Sequence, residues 1–354
     1  MIQKNFFQNS KDRMNRAFNT TLVGFGNVAA LVMKDKRMSR YIKYQAHAQV
    51  LKSNKNFNWN AVIEPDRTKR EIAKSKWKIG VVVDSFEKLP SDHKIDVLVV
   101  TTPPDRRISL LPYLKKVRKA IILEKPISEC LKNSLRFKKK CEELKLKVQV
   151  NLFRRLDNSM IEVKEKILKK KIGKLQAGFC IYGNGIYNNA LHMIDLVRML
   201  FGEISSVQAI QSNTKLNNCT LKGDLNLPFL IQMENGKNIF FQPINFSFYR
   251  DIYLDIWGEK GRLEIFQEGL FYRYSQIGNH RAIDNIKEVS IDKMKYKKTQ
   301  CGNAYYNIYQ NLSDHLKSKK KLLSSIESAI RSERVVNYIN ESKKKNYQRV
   351  RVVY

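Results

Sequence analysis

The chain has 354 residues, 43% of them hydrophobic, so it is long enough for two domains with separate cores, and no apolar run approaches the length of a membrane span. Its five cysteines are odd in number and scattered without a CxxC pair, which argues against a disulfide framework or any zinc or other metal site and indicates a reducing cytoplasm. The net charge of +33 attracts anions of every kind, so a nucleic-acid or acidic-surface binder stands as an alternative to an enzyme.

Residues 1–19 are basic and polar and lack the apolar segment of a secretory signal, so we interpret them as an extension before the first domain. The apolar run 21–25 predicts a strand that leads into a GxGxxA sequence at 24–29. In such loops small residues let the backbone approach a pyrophosphate, and N–H groups at the helix start bind the anion; the alternative is a purely structural glycine turn. The residues predicted to hold a dinucleotide are Gly24, Phe25, Gly26, Asn27 and Val28.

A second predicted strand, 60–63, ends in Glu64, whose carboxylate can accept hydrogen bonds from both hydroxyls of an adenosine ribose. That carboxylate favours NAD over NADP, whereas Arg67 could instead neutralise a 2′-phosphate, so NAD is preferred and NADP stays open. The acid follows the glycines at about twice the usual spacing of roughly 20 residues. This spacing predicts an enlarged, basic and partly helical crossover over 34–58.

Strand and helix continue to alternate, which is typical of a parallel, doubly wound sheet. A buried strand is predicted at 96–100, followed by a helix over about 108–118. Thr102 and Pro103, just after that strand, are predicted to line the cofactor.

The apolar run 120–123 predicts another buried strand, which must end at Pro126 because proline cannot donate to a sheet ladder. Open α/β sheets bind ligands outside the carboxyl ends of their strands. Lys125 is therefore the first candidate for chemistry, and Glu124 is a candidate cofactor contact. The alternative is an ordinary strand-to-loop turn.

Several short motifs, in this order and spacing, resemble the Gfo/Idh/MocA family of NAD(P)-dependent oxidoreductases, whose members include glucose–fructose oxidoreductase and inositol dehydrogenase. They are 24–29, 64–66, 102–104, 124–126, 154–157, 172–175 and 192–195. The resemblance implies a Rossmann domain, set at 20–148, and an α/β domain, set at 149–354, with a large open, mostly antiparallel sheet. It also implies a sugar or cyclitol bound between them and C-terminal helices that return to the first domain.

A mostly apolar helix is predicted over 188–200, ending at Gly202, with Asn188 and His192 on one face. By resemblance, Lys125 and His192 would flank the carbon that gives or takes hydride, and one of them would shuttle the hydroxyl proton; a lysine beside a nicotinamide cation can have its pKa lowered. For His192 the alternative is a hydrogen bond within an apolar interface. The best-known members have an aspartate where this chain has Asn188, so either Lys125 and His192 suffice or activity is weak or lost.

The segment 185–192, and His47-Ala48, look like a branch of the family associated with bacterial surface-glycan and nucleotide-sugar pathways. Asn188 and Asp195 would then orient a sugar. Arg154 and Arg155 would meet a substrate phosphate or the acidic end of the cofactor, with a salt-bridged domain junction as the alternative. The basic surface suits a substrate that carries a diphosphate.

The sequence of the rest of the second domain predicts one broad sheet, with hairpin turns at 234–237 and 258–261. The strands are predicted at 178–182, 206–211, 229–233, 238–243, 252–257, 262–266 and 269–274, and two further helices at 304–317 and 324–340. An aromatic cluster at 240–249 is core or subunit interface, and relatives use the open sheet face for oligomers, so we expect a dimer or tetramer.

The sequence therefore predicts an NAD(P)-dependent dehydrogenase or reductase that acts on sugar CH–OH groups. The alternative is a catalytically degenerate Rossmann protein that binds anionic partners. Against specific nucleic-acid binding, the lysines are spread along the chain, and no motif interleaves them with stacking aromatics.

Overall fold

The computed structural model describes residues 16–31, 38–212 and 219–354. Most of the predicted N-terminal extension, residues 1–15, and part of the enlarged crossover, 32–37, lie outside the described residues. The chain divides into two compact units. The first comprises the described residues up to Phe153 together with Gly302–Glu327, and the second comprises Arg154–Cys301 and Ser328–Tyr354.

The secondary-structure elements are numbered here in chain order. The strands are β1 (Phe18–Val23), β2 (Phe57–Ile63), β3 (Val81–Val83), β4 (Ile95–Val100), β5 (Val117–Leu123), β6 (Lys147–Val150), β7 (Leu175–Tyr182), β8 (Ile204–Ala209), β9 (Phe229–Met233), β10 (Asn238–Pro243), β11 (Tyr253–Gly258), β12 (Gly261–Phe266), β13 (Phe271–Asn279), β14 (Lys287–Lys298) and β15 (Val350–Arg351). The α-helices are α1 (His47–Ser53), α2 (Arg67–Trp77), α3 (Leu131–Glu143), α4 (Asn158–Glu162), α5 (Leu191–Phe201), α6 (Ala304–Ser318) and α7 (Ile326–Lys344).

The first unit is built on six parallel strands in the order β3-β2-β1-β4-β5-β6. All six residues of β4 are buried, as are the last four of β5, as expected for strands covered on both faces. The prediction of a doubly wound parallel sheet is confirmed. The strand order reverses between β1 and β4, which is where ligands of such sheets bind.

The connection from β4 to β5 differs from the prediction. We expected a helix over about 108–118, and the structure has a 3₁₀ helix over Pro104–Lys116. Pro112 lies inside it and has no N–H to donate to an α-helical carbonyl four residues back, which disfavours α-helical pairing at that position.

The second unit contains a nine-stranded sheet in the order β14-β13-β12-β11-β7-β10-β9-β8-β15. The pairs are antiparallel except β7 with β10, so the predicted mostly antiparallel sheet is confirmed. Both predicted hairpins, β9–β10 and β11–β12, are present. The strand β14 was not predicted because eleven of its twelve residues are at least partly exposed, which leaves no alternating apolar pattern to detect.

The helices of the second unit depart from a regular α-helix at two places. α4 continues as π-helical turns over Val163–Ile172, and a π-helical turn over Ile186–Ala190 precedes α5. The predicted helix start at residue 188 was therefore wrong, since the α-helix begins at Leu191. Ten consecutive residues of α5, 191–200, are buried, which makes it the central helix of this unit. No helix in the described part of the chain is long and apolar enough to cross a membrane.

Candidate active site

The glycine loop after β1 has a conformation and a close approach that depend on glycine. Gly24 has φ +84°, and a Cβ there would lie 2.9 Å from the Thr102 nitrogen, so both the conformation and the close approach require glycine. At Gly26 an added Cβ would meet no protein atom within 4 Å, and Asn27 and Val28 beyond it are exposed. These residues fit a cradle that a pyrophosphate can approach closely.

Glu64, at the carboxyl end of β2, is fixed beside this loop. Its carboxylate is buried and accepts the Phe25 N–H at 2.5 Å and the Asp66 N–H at 3.0 Å. The Phe25 N–H is thus already used by a protein group, and the Phe25 ring is buried against Trp59. The contribution of Phe25 to the loop is to hold Glu64 in place.

The arginines after Glu64 occupy different positions. Arg67 is exposed at the start of α2. Arg70, which the sequence did not single out, donates from Nη1 to the carbonyl oxygen of Glu64 at 2.8 Å. Because Arg70 sits one helical turn after Arg67, only the structure distinguishes the guanidinium that contacts the strand end from the exposed one.

The loop after β4 packs on the glycine loop. Thr101 donates from Oγ1 to the Gly24 carbonyl at 2.7 Å, and Thr102 contacts Gly24 directly. Thr102 Oγ1 is buried and finds no hydrogen-bond partner among the described residues, while Pro103 is exposed. A buried hydroxyl without a partner beside the pyrophosphate cradle supports a ligand contact there.

Lys125 follows β5 and is half-buried, in a turn whose Lys125–Pro126 peptide is cis. The turn is contacted by Arg107, which comes from the 3₁₀ helix and is only 2% exposed. Arg107 donates from Nη1 to the carbonyls of Glu124 and Pro126, and from Nε to Thr102 at 3.0 Å. The sequence does not single out Arg107, because an arginine next to Arg106 and two residues from Asp105 is typical of a solvated face.

The Glu124 side chain does not face solvent, contrary to the simplest picture of a cofactor contact. Its carboxylate accepts from His47 Nε2 at 2.8 Å and from Asn151 Nδ2 at 2.5 Å. Although burial raises the pKa of Glu124, the hydrogen bonds from His47 and Asn151 and the charge of Lys125 hold that pKa below its ordinary value. Glu124 is therefore a buried carboxylate that stays charged.

His47 connects this carboxylate to helix α6. An ionised carboxylate only accepts hydrogen bonds, so His47 Nε2 carries a proton, and Nδ1 of the same ring is hydrogen-bonded with the Tyr309 hydroxyl at 2.7 Å. Burial, and then the charge of Glu124, raise the pKa values of Tyr305 and Tyr309 well above the ordinary value, so both hydroxyls stay protonated. The sequence analysis noted His47 only as part of a resemblance.

In the second unit, the turn before His192 is held by a carboxylate that the sequence did not identify. Asp224 accepts the N–H groups of Tyr187 at 3.0 Å and Asn188 at 2.9 Å. A Cβ at Gly185, which has φ +93°, would lie 2.0 Å from Asp224 Oδ2, so only glycine fits. Burial raises the pKa of Asp224. The candidate residue Asn188 is thus fixed through its backbone.

His192 and Asp195 lie on α5 and are both buried. Asp195 accepts from Arg155 Nε at 2.7 Å and from the Ser332 hydroxyl at 2.8 Å, so Arg155 forms a salt bridge within the second unit and not across a domain junction. Arg154 is also buried and donates to the Glu268 carbonyl at 2.9 Å. These contacts are internal to the second unit, so the predicted substrate roles of these residues rest on the sequence alone.

A neighbour of Asn188 has an unused donor. Asn189, which was not among the predicted site residues, is 8% exposed, and its Nδ2 has no hydrogen-bond partner among the described residues. It stands three residues before His192 on the same turn. Within the described residues no group of three or more His, Cys, Asp and Glu side chains could hold a metal ion.

Sequence profiles of one family match most of the chain. Its NAD-binding Rossmann profile matches residues 39–152, and its C-terminal α/β profile matches 183–352. The chain belongs to the Gfo/Idh/MocA oxidoreductase family. The resemblance drawn from the short motifs is therefore confirmed, and NAD binding is the property for which the first profile is described.

Individual members of the Gfo/Idh/MocA family are distant in sequence. The scyllo-inositol 2-dehydrogenase (NAD(+)) of Bacillus subtilis is 28% identical over 157 residues, which are 40% of this chain and 44% of that protein. The chain spans less than half the length of this and similar inositol dehydrogenases that it matches.

Solved structures match over nearly the full length. An NAD-binding oxidoreductase from Klebsiella pneumoniae gives a TM-score of 0.75 at 14% identity, covering 96% of this chain and 100% of the other. The WlbA dehydrogenase from Bordetella pertussis, solved with NADH and UDP-GlcNAcA, gives 0.70 at 15% identity, with coverage of 96% and 100%. At these identities the likeness shows the fold alone.

Proposed function

We propose that this Gfo/Idh/MocA protein is an NAD-dependent dehydrogenase or reductase that acts on a hydroxyl or ketone carbon of a sugar or cyclitol. One observation carries the proposal: three adjacent strands of the first sheet, β1, β4 and β5, end in the glycine loop, in Thr102 and in Lys125 respectively. The order of the strands reverses between β1 and β4, where open α/β sheets bind ligands.

The residues around these strand ends have distinct roles in this proposal. Gly24 and Gly26 admit the pyrophosphate. Glu64 accepts hydrogen bonds from the adenosine ribose through the oxygen lone pairs that the N–H groups of Phe25 and Asp66 do not use. Because a fixed carboxylate repels a 2′-phosphate, NAD is preferred over NADP. The bound cofactor gives or takes the hydride.

The proton that accompanies the hydride needs a protein group. Lys125 and His192 are the candidates, since an amine and an imidazole can each exchange a proton near neutral pH when their surroundings are tuned. An amide side chain cannot take a proton, so Asn188 can only orient a substrate hydroxyl. Asn189, with its unpartnered buried donor, is a second candidate for that orienting role.

The proposed substrate is a nucleotide-linked sugar in bacterial surface-glycan metabolism, handled in the cytoplasm. Support comes from the net charge of +33, which attracts a diphosphate, and from the fold shared with a dehydrogenase solved with UDP-GlcNAcA. A sugar without a phosphate would gain nothing from this charge.

The deciding experiment is a calorimetric titration with NADH and with NADPH at moderate salt, after the purified protein has been checked for bound nucleotide by its absorbance. Micromolar binding of NADH, weaker binding of NADPH and little dependence on salt are expected. No binding of either to nucleotide-free protein would overturn the proposal. It would favour a non-catalytic protein for anionic partners, whose binding should fall steeply with salt.

We also propose that the protein is a dimer or tetramer formed through the open face of the second sheet. On β14, Ile291 is 71% exposed and Tyr296 is 60% exposed, whereas in the aromatic cluster Phe241 is buried and Phe248 is 82% exposed. Exposed apolar side chains on a broad sheet are typical of protein interfaces. Light scattering that gave a monomer at micromolar concentration would contradict this.

A further inference from the structure

Arg107 joins two loops that carry separate parts of the proposed site. Its guanidinium donates from Nε and Nη2 to the Thr102 carbonyl, at 3.0 Å and 2.9 Å. From Nη1 it donates to the carbonyls on both sides of Lys125, those of Glu124 and Pro126. One buried side chain thus holds the end of β4 and the turn after β5 in a fixed relation.

The chemistry of this contact requires arginine. The carboxyl ends of parallel strands leave carbonyl oxygens that the sheet does not satisfy, and burying them without donors is costly. A guanidinium carries five N–H donors in a rigid plane, so it can serve two loops at once. A lysine in its place has three donors on one nitrogen and no fixed plane, so it lacks the separated nitrogens with which Arg107 contacts the two loops.

The same contact reaches the cofactor loop. Thr102, whose carbonyl Arg107 holds, packs directly against Gly24, where an added Cβ would lie 3.0 Å from Thr102 Cγ2. Arg107 therefore fixes the position of Lys125 relative to the glycine loop, through atoms of the first unit alone.

We propose that Arg107 is a positioning residue: it fixes the Lys125 turn against the cofactor loop, so that the Lys125 amine stands where proton transfer occurs. This inference rests on the proposed function, but the effect of Arg107 on the mobility of the Lys125 turn is measured on the protein without any ligand. Proton transfer depends steeply on geometry, and a misplacement of about 1 Å can cost roughly a hundredfold in rate.

The test compares Arg107→Lys with Arg106→Lys, a matched control whose native side chain is 77% exposed on the same 3₁₀ helix. Each protein is labelled briefly with an amine-reactive reagent and analysed by peptide mass spectrometry, together with backbone hydrogen exchange. In Arg107→Lys we expect the half-buried Lys125 to label at least threefold faster and the peptide covering 124–127 to exchange at least tenfold faster. Exposed Lys119 on the same strand should be unchanged, as should peptides outside the Thr102 loop, the 3₁₀ helix that carries Arg107 and the Lys125 turn. The whole control variant should also be unchanged.

Two results would overturn the inference. One is a folded Arg107→Lys protein with wild-type labelling and exchange at the Lys125 turn. The other is an increase spread evenly over the first unit, which would make Arg107 a general stabiliser. If Arg107→Lys does not fold, Thr102→Gly, which keeps the carbonyl but loosens the loop that Arg107 holds, is measured in the same way with the same criteria.

Cofactor binding separates this inference from the proposed function. The Kd of Arg107→Lys for NADH, measured by calorimetry, should stay within threefold of the wild-type value, because Gly24, Gly26 and Glu64 are intact. A tenfold loss of affinity would overturn the positioning role and make Arg107 part of the cofactor site. If the wild-type protein binds no NADH, the proposed function fails, whereas the labelling result still decides whether Arg107 fixes the Lys125 turn.

Discussion

The two turns that carry the candidate proton-transfer residues are fixed by charged side chains of opposite sign, the buried Arg107 and the half-buried Asp224. In the first unit, the guanidinium of Arg107 binds backbone carbonyls around Lys125. In the second unit, the carboxylate of Asp224 binds backbone N–H groups of the turn before His192. The difference follows from the backbone, because a parallel strand ends in unsatisfied carbonyls and a helix begins with unsatisfied N–H groups. A cation suits the first and an anion suits the second.

The comparison also separates the two units by their response to pH. A guanidinium stays protonated at any pH where the protein folds, so the contact of Arg107 does not titrate. Carboxylates do titrate, and in the second unit burial raises the pKa of both Asp224 and Asp157. We therefore expect these carboxylates of the second unit to take up protons first as the pH falls, and protonation of each favours the folded state.

The largest expected effect is on turnover. Lys125→Ala removes the amine from the turn that Arg107 holds, and general acid–base groups contribute about 10²–10⁴-fold in rate. We expect hydride transfer to fall by that factor while Kd for NADH stays within a few-fold, measured by absorbance and calorimetry. Lys119→Ala, on the exposed part of the same strand, is the control. Unchanged turnover in Lys125→Ala would remove Lys125 from the mechanism.

The next largest effect is expected on stability, at His47, whose ring contacts the Glu124 carboxylate beside the Lys125 turn. His47→Leu leaves the buried Glu124 carboxylate and the Tyr309 hydroxyl without a shared partner, and removing one member of such a buried contact costs about 3 kcal/mol. Urea unfolding should show a decrease of that size in the free energy of unfolding. For the double variant with Glu124→Gln, the decrease should be smaller than the sum of the decreases in the two single variants. A loss below about 1 kcal/mol would mean that Asn151 and Tyr305 satisfy Glu124 on their own.

The fold could be predicted in large part, because its strands bury apolar runs or alternate with turns. β9 and β10 match their predicted bounds, and the β4 and β5 runs were recognised because they are apolar throughout. The exposed, lysine-rich β14 could not be predicted, since no periodic pattern marks it.

The candidate site was predictable only where a motif is local. Gly24, Glu64 and Lys125 stand at strand ends that the sequence marks, whereas the groups that hold them are remote or featureless in sequence. His47 lies 77 residues from Glu124, and Asp224 lies 36 residues from Asn188. A single sequence carries no signal for such pairs, because the fold alone brings them together.

A pH titration tests whether protonation of a buried carboxylate stabilises the second unit. Asp157 caps α4 through the Ser159 N–H at 2.8 Å, and burial raises its pKa to about 6. Since the folded-state pKa lies above the unfolded one, Asp157 favours folding below about pH 4, and this contribution is lost as the pH rises through 6. Relative to Asp157→Asn, the free energy of unfolding of the wild type should fall by about 3 kcal/mol between pH 4 and 7.

Urea unfolding at pH 4, 5, 6 and 7 measures this difference. Asp66→Asn, at the exposed cap of α2, is the matched control, because the Asp66 side chain likewise accepts a backbone hydrogen bond, from the Lys69 N–H. A difference between wild type and Asp157→Asn that stays constant across this range would show that burial does not act on Asp157 as proposed.

The smallest effect tests the anion that holds the second turn. Asp224 uses Oδ1 for Tyr187 and Oδ2 for Asn188, so in Asp224→Asn one N–H must face the amide NH₂ instead of an acceptor. We expect a loss of about 1–2 kcal/mol and faster hydrogen exchange at 186–189, with Glu234→Gln at the exposed β9–β10 hairpin as the control. If exchange at 124–127 changed as well, the two turns would not be fixed independently. If neither changed, backbone geometry rather than the charge of Asp224 would hold the turn, and the parallel with Arg107 would fail.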